Sequence, residues 1–372
     1  MSVSTNWYNL NYPEQIDSPA ILIFIDRVKQ NIQTAIEMAG STDKLRPHVK
    51  TNKSPEAVKL MQQAGINKFK CATISEAEML GMVKANDVLF AYQPTGPKLQ
   101  RFIQLVKKYS ATSYACLTDN LATAKEQVAA FEKAGITMRF YIDINVGMNR
   151  SGIAPGKDVI ELMQFLSASS VVKSVGLHVY DGHIRNPDFK EKEQEVNDTY
   201  KKVEQLIIDI KEAGLPAPAV VVGGSPSFSI HAKREGVECS PGTFIYWDKS
   251  YQTNCAEQNF LPAAVLLTRV ISLPAEGMVT TDLGHKSIAA ENEITRRVFL
   301  LDDNTLEPVS QSEEHLVFKN NGKNTYLVGD VLYGLPYHVC PTIALYEKVH
   351  VIENGDKTEE WLTIARDRQI TI

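Results

Sequence analysis

The amino-acid sequence predicts an α/β protein: a (β/α)8 barrel of the TIM type, followed by a β-rich C-terminal domain. Eight strand candidates alternate with helix candidates between residues 45 and 241, which is typical of a parallel sheet covered by helices. Eight is also the number of strands that closes such a sheet into a barrel. After about residue 255 the pattern changes to short strands joined by turns, with no long helix. An open, doubly wound sheet is the alternative for the first part, and in either fold ligands bind at the carboxyl ends of the strands.

The first part of the chain consists of apolar, β-branched runs separated by stretches with apolar residues at helical spacing. Residues 20–26 form one such run, and residues 28–40 have helical spacing that ends at Gly40. Further strand candidates follow at residues 45–50, 68–72, 87–91, 112–117, 138–144, 174–179, 219–223 and 237–241. Helix candidates lie at residues 55–64, 76–84, 97–109, 121–134, 157–168 and 189–213. Asn120 and Asp188 stand where helix N-caps are expected, and Gly135 stands where a helix should end.

The second part of the chain is predicted to be almost entirely β-structure. Strand candidates lie at residues 262–273, 278–282, 297–301, 316–318, 327–332, 344–352 and 360–364. We therefore divide the chain into a barrel domain, residues 18–255, and a β-rich domain, residues 256–372. Residues 1–17 are a candidate to pack on the β-rich domain.

The composition excludes several classes of protein. A chain of 372 residues, 44% hydrophobic and 22% charged, has the composition of a folded globular protein rather than of a disordered one. A net charge of −5 lacks the basic footprint of a nucleic-acid binder, and no apolar run approaches the roughly 18–20 residues of a membrane span. The start lacks a signal-peptide pattern, and five scattered cysteines argue against a disulfide framework. We therefore expect a cytoplasmic protein that contacts neither nucleic acid nor membrane.

Two lysines stand at the end of the first predicted barrel strand. The sequence of residues 46–53 is RPHVKTNK, which contains Lys50 and Lys53. A lysine just past a strand end points into the mouth of a barrel, where a desolvated amine is a candidate Schiff-base nucleophile. The alternative is an ordinary solvated loop lysine, and the pattern alone does not choose between the two positions.

Polar side chains also follow the fifth and sixth predicted strands. Arg150 lies in DINVGMNRSG, residues 143–152, where the glycines predict either a tight loop that presents the arginine to a ligand or a surface turn. His178 and Tyr180 are two residues apart, so they share one face of the sixth strand. These two side chains are candidates for ligand contact or for structural packing.

Glycines follow the seventh and eighth predicted strands. Gly223, Gly224 and Ser225 follow the seventh, and Gly242 and Thr243 follow the eighth. Backbone N–H groups can approach a phosphate closely where glycine removes the side chain. Loops after strands 7 and 8 recurrently form phosphate sites in barrels, so the pair of loops predicts an anion site.

One candidate metal motif stands in the β-rich domain. His338 and Cys340 are two residues apart, and in an extended segment their side chains would point the same way. Imidazole and thiolate suit Zn²⁺. Two ligands cannot close a structural site, so an open position for water or substrate is expected. The alternative is that the two residues are unrelated.

Taken in order, these segments resemble the D-threonine aldolase and D-serine dehydratase family, from about residue 18 to residue 351. RPHVKTNK resembles the signature around the lysine that binds pyridoxal phosphate, and DINVGMNRSG resembles the loop whose arginine contacts the cofactor. Residues 282–286 (DLGHK), 312–315 (SEEH) and 338–342 (HVCPT) resemble later family motifs. The resemblance implies an alanine-racemase-like fold, in which a barrel precedes a β domain.

The resemblance also implies a role for each candidate. Lys50 would hold the cofactor and act in catalysis, and Arg150 would contact the phenolate oxygen. The other implied cofactor contacts are His178, Tyr180, Gly223, Gly224, Ser225, Gly242 and Thr243. His338, also implied as catalytic, and Cys340 would bind a divalent metal, zinc or manganese. Asn52 and Tyr337 depart from the family pattern, where many relatives have a histidine and an asparagine, and this bears on the substrate more than on the cofactor.

The implied activity is that of a lyase acting on β-hydroxy D-amino acids. We expect retro-aldol cleavage of D-threonine to glycine and acetaldehyde, with dehydration of D-serine to pyruvate and ammonia as the alternative. In both reactions the cofactor accepts the electron pair released at Cα, and the metal binds the β-hydroxyl group as a Lewis acid. Two further alternatives are an amino-acid racemase and a non-catalytic pyridoxal phosphate-binding protein. A homodimer is implied by the resemblance alone.

Overall fold

The computed structural model describes residues 6–372 and divides the chain into two compact units. One contains residues 35–50, 57–242 and 367–372, and we call it the barrel unit. The other contains the residues up to Thr34, residues 51–56 and residues 243–366, and we call it the β unit. Residues 1–5, part of the segment predicted to pack on the β-rich domain, lie outside the described residues.

Strands and helices alternate in the first two thirds of the chain, and strands dominate the rest. The strands are β1 (Ala20–Phe24), β2 (Lys68–Cys71), β3 (Asp87–Phe90), β4 (Ser113–Thr118), β5 (Met138–Ile144), β6 (Val172–Val179), β7 (Val220–Val222), β8 (Val237–Cys239), β9 (Ala264–Ser272), β10 (Met278–Thr281), β11 (Val298–Leu300), β12 (Leu306–Gln311), β13 (Leu316–Asn320), β14 (Val331–Pro336), β15 (Lys348–Glu353) and β16 (Asp356–Leu362). The α-helices are α1 (Ile25–Ala39), α2 (Pro55–Gln63), α3 (Ile74–Met82), α4 (Gly96–Lys108), α5 (Leu121–Ala134), α6 (Lys157–Ser167), α7 (Phe189–Glu212), α8 (Phe228–His231), α9 (Lys249–Asn254) and α10 (Val339–Ile343).

Seven parallel strands form the regular part of the barrel sheet. Strands β2 to β8 pair in chain order, each in parallel with the next. The connecting helices explain this order, because a parallel pair needs a crossover connection. Helix α5 begins at the predicted cap Asn120, whose side chain accepts from the N–H of Thr123, and ends at Gly135 in the left-handed region. The predicted alternation of strands and helices is therefore confirmed.

The first predicted barrel strand, residues 45–50, closes the barrel as an irregular segment rather than as a full strand. The N–H of Arg46 donates to the carbonyl of Cys239 at 2.8 Å, and the N–H of Val49 donates to the carbonyl of Lys70 at 2.9 Å. The segment therefore bonds to both edge strands, β8 and β2. Pro47 has no N–H to donate, so a continuous ladder cannot form here. The predicted (β/α)8 barrel is confirmed, with one segment held only by isolated bridges.

A buried ionic cluster lies beneath this closing segment. The guanidinium of Arg46 is 1% exposed and lies 2.6 Å from a carboxylate oxygen of Asp87 and 2.6 Å from one of Glu238. Burial acts to raise the pKa of Asp87, but hydrogen bonds from Arg139 and Arg46 outweigh it and hold that pKa well below its usual range. The cluster therefore joins the closing segment to its neighbours through charges that are paired in the folded state.

Replacement of Arg46 by Ala is expected to lower the free energy of unfolding by about 3 kcal/mol, because it removes a buried guanidinium and leaves the partly buried Asp87 and Glu238 without one of their partners. Urea denaturation followed by circular dichroism measures this loss. Lys44→Ala is the matched control, since its partner Glu235 is largely exposed and the pair is worth about 1 kcal/mol or less. Equal effects of the two substitutions would contradict the role given to the cluster.

The β unit contains a nine-stranded sheet that includes one strand from the start of the chain. The main path of the sheet is β12-β13-β10-β9-β1-β15-β16, with β14 paired to both β9 and β11. Strand β1 is antiparallel to β9 and parallel to β15. The sequence-based boundary at residue 18 placed this run in the barrel domain instead. The run is buried at all five positions, so its apolar pattern suits the interior of either sheet.

Smaller differences concern elements whose pattern was weak. Strand β12 was not predicted, because it is mostly polar and Pro308 interrupts it. The predicted strands at 327–332 and 344–352 are shifted to β14 and β15. The β unit has its own core, in which Tyr8 and Ile16 pack with Leu22 and Val265. No helix within residues 6–372 is both long enough and apolar enough to span a membrane.

Candidate active site

A cavity of about 560 Å³ opens in the barrel unit, where the strands of the parallel sheet end. Its walls come from residues that follow the closing segment and strands β2 to β6. Among the predicted residues, Lys50, Arg150, His178 and Tyr180 line it. Parallel strands bring their carboxyl ends to one edge, which is why residues so distant in sequence meet here.

Of the two candidate lysines, Lys50 lines the cavity. It follows the closing segment in a turn, and its N–H donates to Nδ1 of His48 at 3.2 Å. Lys53 belongs to the β unit, where its backbone has a positive φ of 52° and its Nζ lies 3.5 Å from the carbonyl of Ala365. The structure therefore separates two positions that the sequence left equivalent.

His178 is held in one orientation on the cavity wall. Its Nδ1 lies 2.7 Å from Oδ1 of Asp143, and the other carboxylate oxygen accepts from the hydroxyl of Ser151 at 2.8 Å. Burial and the neighbouring Lys70 lower the pKa of His178, against the opposing effect of Asp143. A neutral ring beside a carboxylate carries its proton on Nδ1, which leaves Nε2 as an acceptor. The uncharged imidazole ring can therefore pack against a planar ligand in the cavity.

Arg150 and Tyr180 stack against each other in the cavity. The guanidinium carbon lies 4.8 Å from the centre of the Tyr180 ring. A Cβ on Gly224 would lie 2.9 Å from that ring, so glycine is needed for the tyrosine to occupy this position. The loop that carries Arg150 is tied down, because Asp119 accepts from the N–H of Gly152 at 3.1 Å.

The predicted phosphate loop is buried, and hydrogen-bonded side chains pack against it. Gly223 has a φ of +67°, and a Cβ there would lie 2.8 Å from the hydroxyl of Ser227. That hydroxyl donates to Asp181 at 2.7 Å, and Asp181 also accepts from Nε2 of His231 at 2.8 Å. The sequence analysis missed these bracing residues. The only signal for Asp181 was its position immediately after Tyr180.

The two predicted glycine loops meet within the barrel unit. The N–H of Gly242 donates to Oγ of the buried Ser225 at 3.3 Å. Thr243 is the first residue of a 3₁₀ turn assigned to the β unit. Backbone N–H groups beside a tight glycine turn suit a phosphate group. Together with an amine, a guanidinium and a neutral imidazole on the cavity wall, these residues fit pyridoxal phosphate.

Replacement of Gly223 by Ala is expected to weaken pyridoxal phosphate binding tenfold or more, because the added methyl group meets Ser227 and a left-handed non-glycine residue costs about 1–2 kcal/mol. Fluorescence titration of the apoprotein measures this affinity. Gly236→Ala is the matched control: its φ is +71°, but a Cβ there meets nothing within 4 Å. An equal loss of affinity in both variants would remove the phosphate role from this loop.

The candidate metal motif lies in the β unit and is not extended. His338 has an extended backbone, but Val339 begins helix α10, so Cys340 lies in the first turn of a helix. The extended geometry expected for the pair is therefore wrong. The carboxylate of Asp248 accepts the N–H of Val339 at 3.1 Å and thereby caps the helix. Pro341 is compatible with this first turn, where its missing N–H would have no partner.

The surroundings of this motif are polar. Nδ1 of His338 is hydrogen-bonded to the carboxylate of Glu291. Sγ of Cys340 lies 3.1 Å from Oγ1 of Thr51 and 3.6 Å from Oγ1 of Thr243. Within residues 6–372, no group of three or more His, Cys, Asp or Glu side chains is arranged to hold a metal ion. The donor types of His338 and Cys340 fit zinc, provided that other ligands complete the site.

Comparison with known proteins identifies the family of this chain. The family model for the alanine racemase N-terminal domain matches residues 23–250, and a model described as a serine dehydratase domain matches residues 263–352. The 3-hydroxy-D-aspartate aldolase of Paracoccus denitrificans is 24% identical over 367 residues, covering 95% of this chain and 93% of the relative. The D-threonine aldolase of an Arthrobacter species is 25% identical over 363 residues, with the same coverage.

Two further comparisons agree with these matches. The D-threo-3-hydroxyaspartate dehydratase of a Delftia species is 25% identical over 290 residues, covering 76% of this chain and 75% of the relative. The crystal structure of D-threonine aldolase from Filomicrobium marinum has the same fold, with a TM-score of 0.88 at 24% identity over 96% of this chain and 98% of that one. The family predicted from the ordered motifs is confirmed. The chain belongs to the alanine racemase N-terminal domain family, and it is a pyridoxal phosphate-dependent lyase of that fold.

Proposed function

We propose that this protein cleaves β-hydroxy D-amino acids by a retro-aldol reaction that depends on pyridoxal phosphate and a divalent metal, zinc or manganese. In this proposal D-threonine is converted to glycine and acetaldehyde. The observation that carries it is the presence of Lys50, Arg150 and His178 on the wall of one cavity. When bound there, pyridoxal phosphate supplies an electron sink for the bond that breaks at Cα.

The residues of the barrel unit would bind and orient the cofactor. The amine of Lys50 would hold the aldehyde carbon of the cofactor, and Nζ of Lys50 would carry a proton when the substrate occupies the site. The guanidinium of Arg150 would hold the phenolate oxygen, since charge-assisted hydrogen bonds to an oxyanion are strong. His178, kept neutral by burial and Lys70, would contact the ring without adding positive charge. The N–H of Gly223 already donates to the carbonyl of Val179 at 2.8 Å, so Gly223 would shape the turn and Gly224 would present its N–H to the phosphate.

The metal part of the proposal rests on His338 and Cys340. These two side chains would occupy two positions of a tetrahedral ion and leave the others open, as in a catalytic rather than a structural site. A metal at this position would bind the β-hydroxyl group and favour its deprotonation. Glu291 would fix the orientation of the His338 ring through Nδ1, and a carboxylate in this position also raises the basicity of a ligating imidazole.

Dehydration is the second candidate reaction, and the comparisons support it as well. The serine dehydratase domain model matches the β unit over residues 263–352, and two of the similar proteins are dehydratases. The aldolase comes first because two aldolases match at 24% and 25% identity over 93% of their own length, whereas the D-serine dehydratase of Dictyostelium discoideum matches at 23% identity over 95% of its length. The reactions differ in which bond at Cα breaks, so their products differ.

Product analysis tests the proposal. The purified protein, loaded with pyridoxal phosphate and manganese, is incubated with D-threonine and D-serine in parallel. Glycine and acetaldehyde from D-threonine support the aldolase, and a 2-oxoacid with ammonium from either substrate replaces it by the dehydratase. Metal-independent interconversion of D- and L-alanine would indicate a racemase. A bound cofactor without turnover of any of these substrates would indicate a carrier.

We further propose a cytoplasmic homodimer. Within residues 6–372, none of the five cysteines forms a disulfide bond and four of them are buried, which suits a reducing compartment. Size-exclusion chromatography with light scattering tests the dimer, and a monomeric mass would exclude it. A D-amino acid is the expected small-molecule partner, and neither nucleic acid nor a membrane is expected to bind.

A further inference from the structure

Lys70 is a second amine on the wall of the cavity, and no sequence motif singles it out. It lies in strand β2, lines the same cavity as Lys50, and is 3% exposed. Its Nζ lies 3.4 Å from Nε2 of His178 and 5.8 Å from the centre of the Tyr180 ring. A lysine is almost never this buried unless it is paired with a carboxylate, and here its hydrogen-bonding neighbour is an imidazole.

The charges around Lys70 favour its neutral form. Burial lowers its pKa, and the neighbouring cations Lys50, Arg46 and Arg150 lower it further, while Asp143 opposes them; the resulting pKa is about 7. About half of this amine is therefore unprotonated near pH 7, against roughly one part in 2,500 for an ordinary lysine with a pKa near 10.4. A neutral amine is the form that attacks a carbonyl carbon.

The hydrogen-bonded neighbours of Lys70 leave its lone pair available. Asp143 can only accept, so Nδ1 of His178 donates to it and Nε2 of the neutral ring accepts. The amine of Lys70 is therefore the donor in its contact with Nε2. A neutral amine can make this contact through one N–H and keep its lone pair directed elsewhere. The chain Asp143–His178–Lys70 thus holds a nucleophilic nitrogen in a fixed position.

We propose that Lys70 is a second imine-forming amine of this cavity and condenses reversibly with aldehydes that occupy it. The proposal rests on the proposed function, which brings two aldehydes to the cavity: that of the cofactor and that produced by retro-aldol cleavage. The nitrogen lone pair attacks the carbonyl carbon, a C=N bond forms, and the carbonyl oxygen leaves as water with the two amine protons. Water reverses the step, and no oxidant or reductant takes part. Lys70 would hold the cofactor aldehyde when Lys50 does not.

The first arm of the test uses the cofactor as the aldehyde. Lys50→Ala is incubated with pyridoxal phosphate, reduced with borohydride and digested, and the labelled peptide is identified by mass spectrometry. A phosphopyridoxyl group on Lys70 is expected. The label should be lost in Lys50→Ala/Lys70→Arg, which keeps an N–H donor beside His178 but cannot form the bond, and kept in Lys50→Ala/Lys53→Met. Thermal denaturation of each variant verifies that it is folded.

The second arm uses a small aldehyde and needs no variant. The wild-type holoenzyme is treated with acetaldehyde and cyanoborohydride over a range of pH, and ethylation is mapped. Half-maximal labelling of Lys70 near pH 7 is expected, whereas an ordinary solvent-exposed lysine needs a pH above about 9. Label on Lys70 in either arm supports the proposal and identifies the source of the aldehyde. Absence of label on Lys70 from both arms overturns it, and because labelling requires no turnover, this outcome is independent of the product analysis.

Discussion

Lys50→Ala is expected to lower kcat/KM for the lyase reaction by about three orders of magnitude or more. Removal of a residue that forms a covalent bond in a reaction typically has an effect of this size. Cofactor held by Lys70 in this variant would not restore turnover, because the amine of Lys70 is fixed beside His178 and does not replace that of Lys50 at the end of the closing segment. Steady-state assays of glycine formation from D-threonine measure the loss. Borohydride reduction of the wild type should place the cofactor on Lys50.

Lys53→Ala is the matched control for this prediction. Lys53 stands three residues along the same motif, but it belongs to the β unit, with its amine near the carbonyl of Ala365. Its removal is expected to change kcat/KM less than threefold. Full activity of Lys50→Ala, or reduction of the cofactor onto Lys53 in the wild type, would refute the assignment of the cofactor lysine.

His338→Ala is expected to abolish metal-dependent turnover while leaving the cofactor bound. Loss of one of two protein ligands should weaken metal binding at least a hundredfold, since the loss of a residue that merely supports a ligand already costs 10- to 100-fold. The metal content after dialysis, measured by atomic emission, and activity on D-threonine with and without a chelator test this. The cofactor absorbance near ~420 nm should be unchanged, because that chromophore belongs to the cofactor.

His315→Ala provides the histidine control in the same unit. His315 is exposed, and its Nδ1 lies 3.3 Å from the hydroxyl of Ser312. Its variant is expected to retain metal and activity. If the wild type remains active after complete removal of metal, the Lewis-acid role of the His338 and Cys340 pair is incorrect, whatever the effect of either substitution.

The sequence was sufficient for the barrel and for most residues on the cavity wall. Each of Lys50, Arg150 and His178 stands at or just past the end of a predicted parallel strand, and the topology of such a sheet brings these ends together. The position of each residue relative to its predicted strand was therefore enough to predict that these side chains lie close together. The same reasoning does not distinguish Lys50 from Lys53, because both lie just past the same strand. The conformation of the turn between them, which the sequence pattern does not specify, decides which lysine lines the cavity.

Long-range packing explains what the sequence did not reveal. Strand β1 is apolar enough for either sheet, and only its pairing with β9 and β15 decides where it lies. The helical turn at Cys340 depends on a cap from Asp248, 91 residues away from Val339 in the chain. Lys70 occupies a strand with the sequence KFKC, whose alternation does not reveal which face is inside the barrel.

The barrel sheet is joined least regularly at the closing segment, residues 45–50, between β8 and β2. Strands β2 to β8 pair with their neighbours over at least three residue pairs each, whereas two isolated bridges join the closing segment to β8 and β2. In the proposed enzyme Lys50, which holds the cofactor, lies at the end of this segment. Cofactor binding at Lys50 should therefore also stabilise the closed barrel. By linkage, a change that destabilises this closure should weaken cofactor binding.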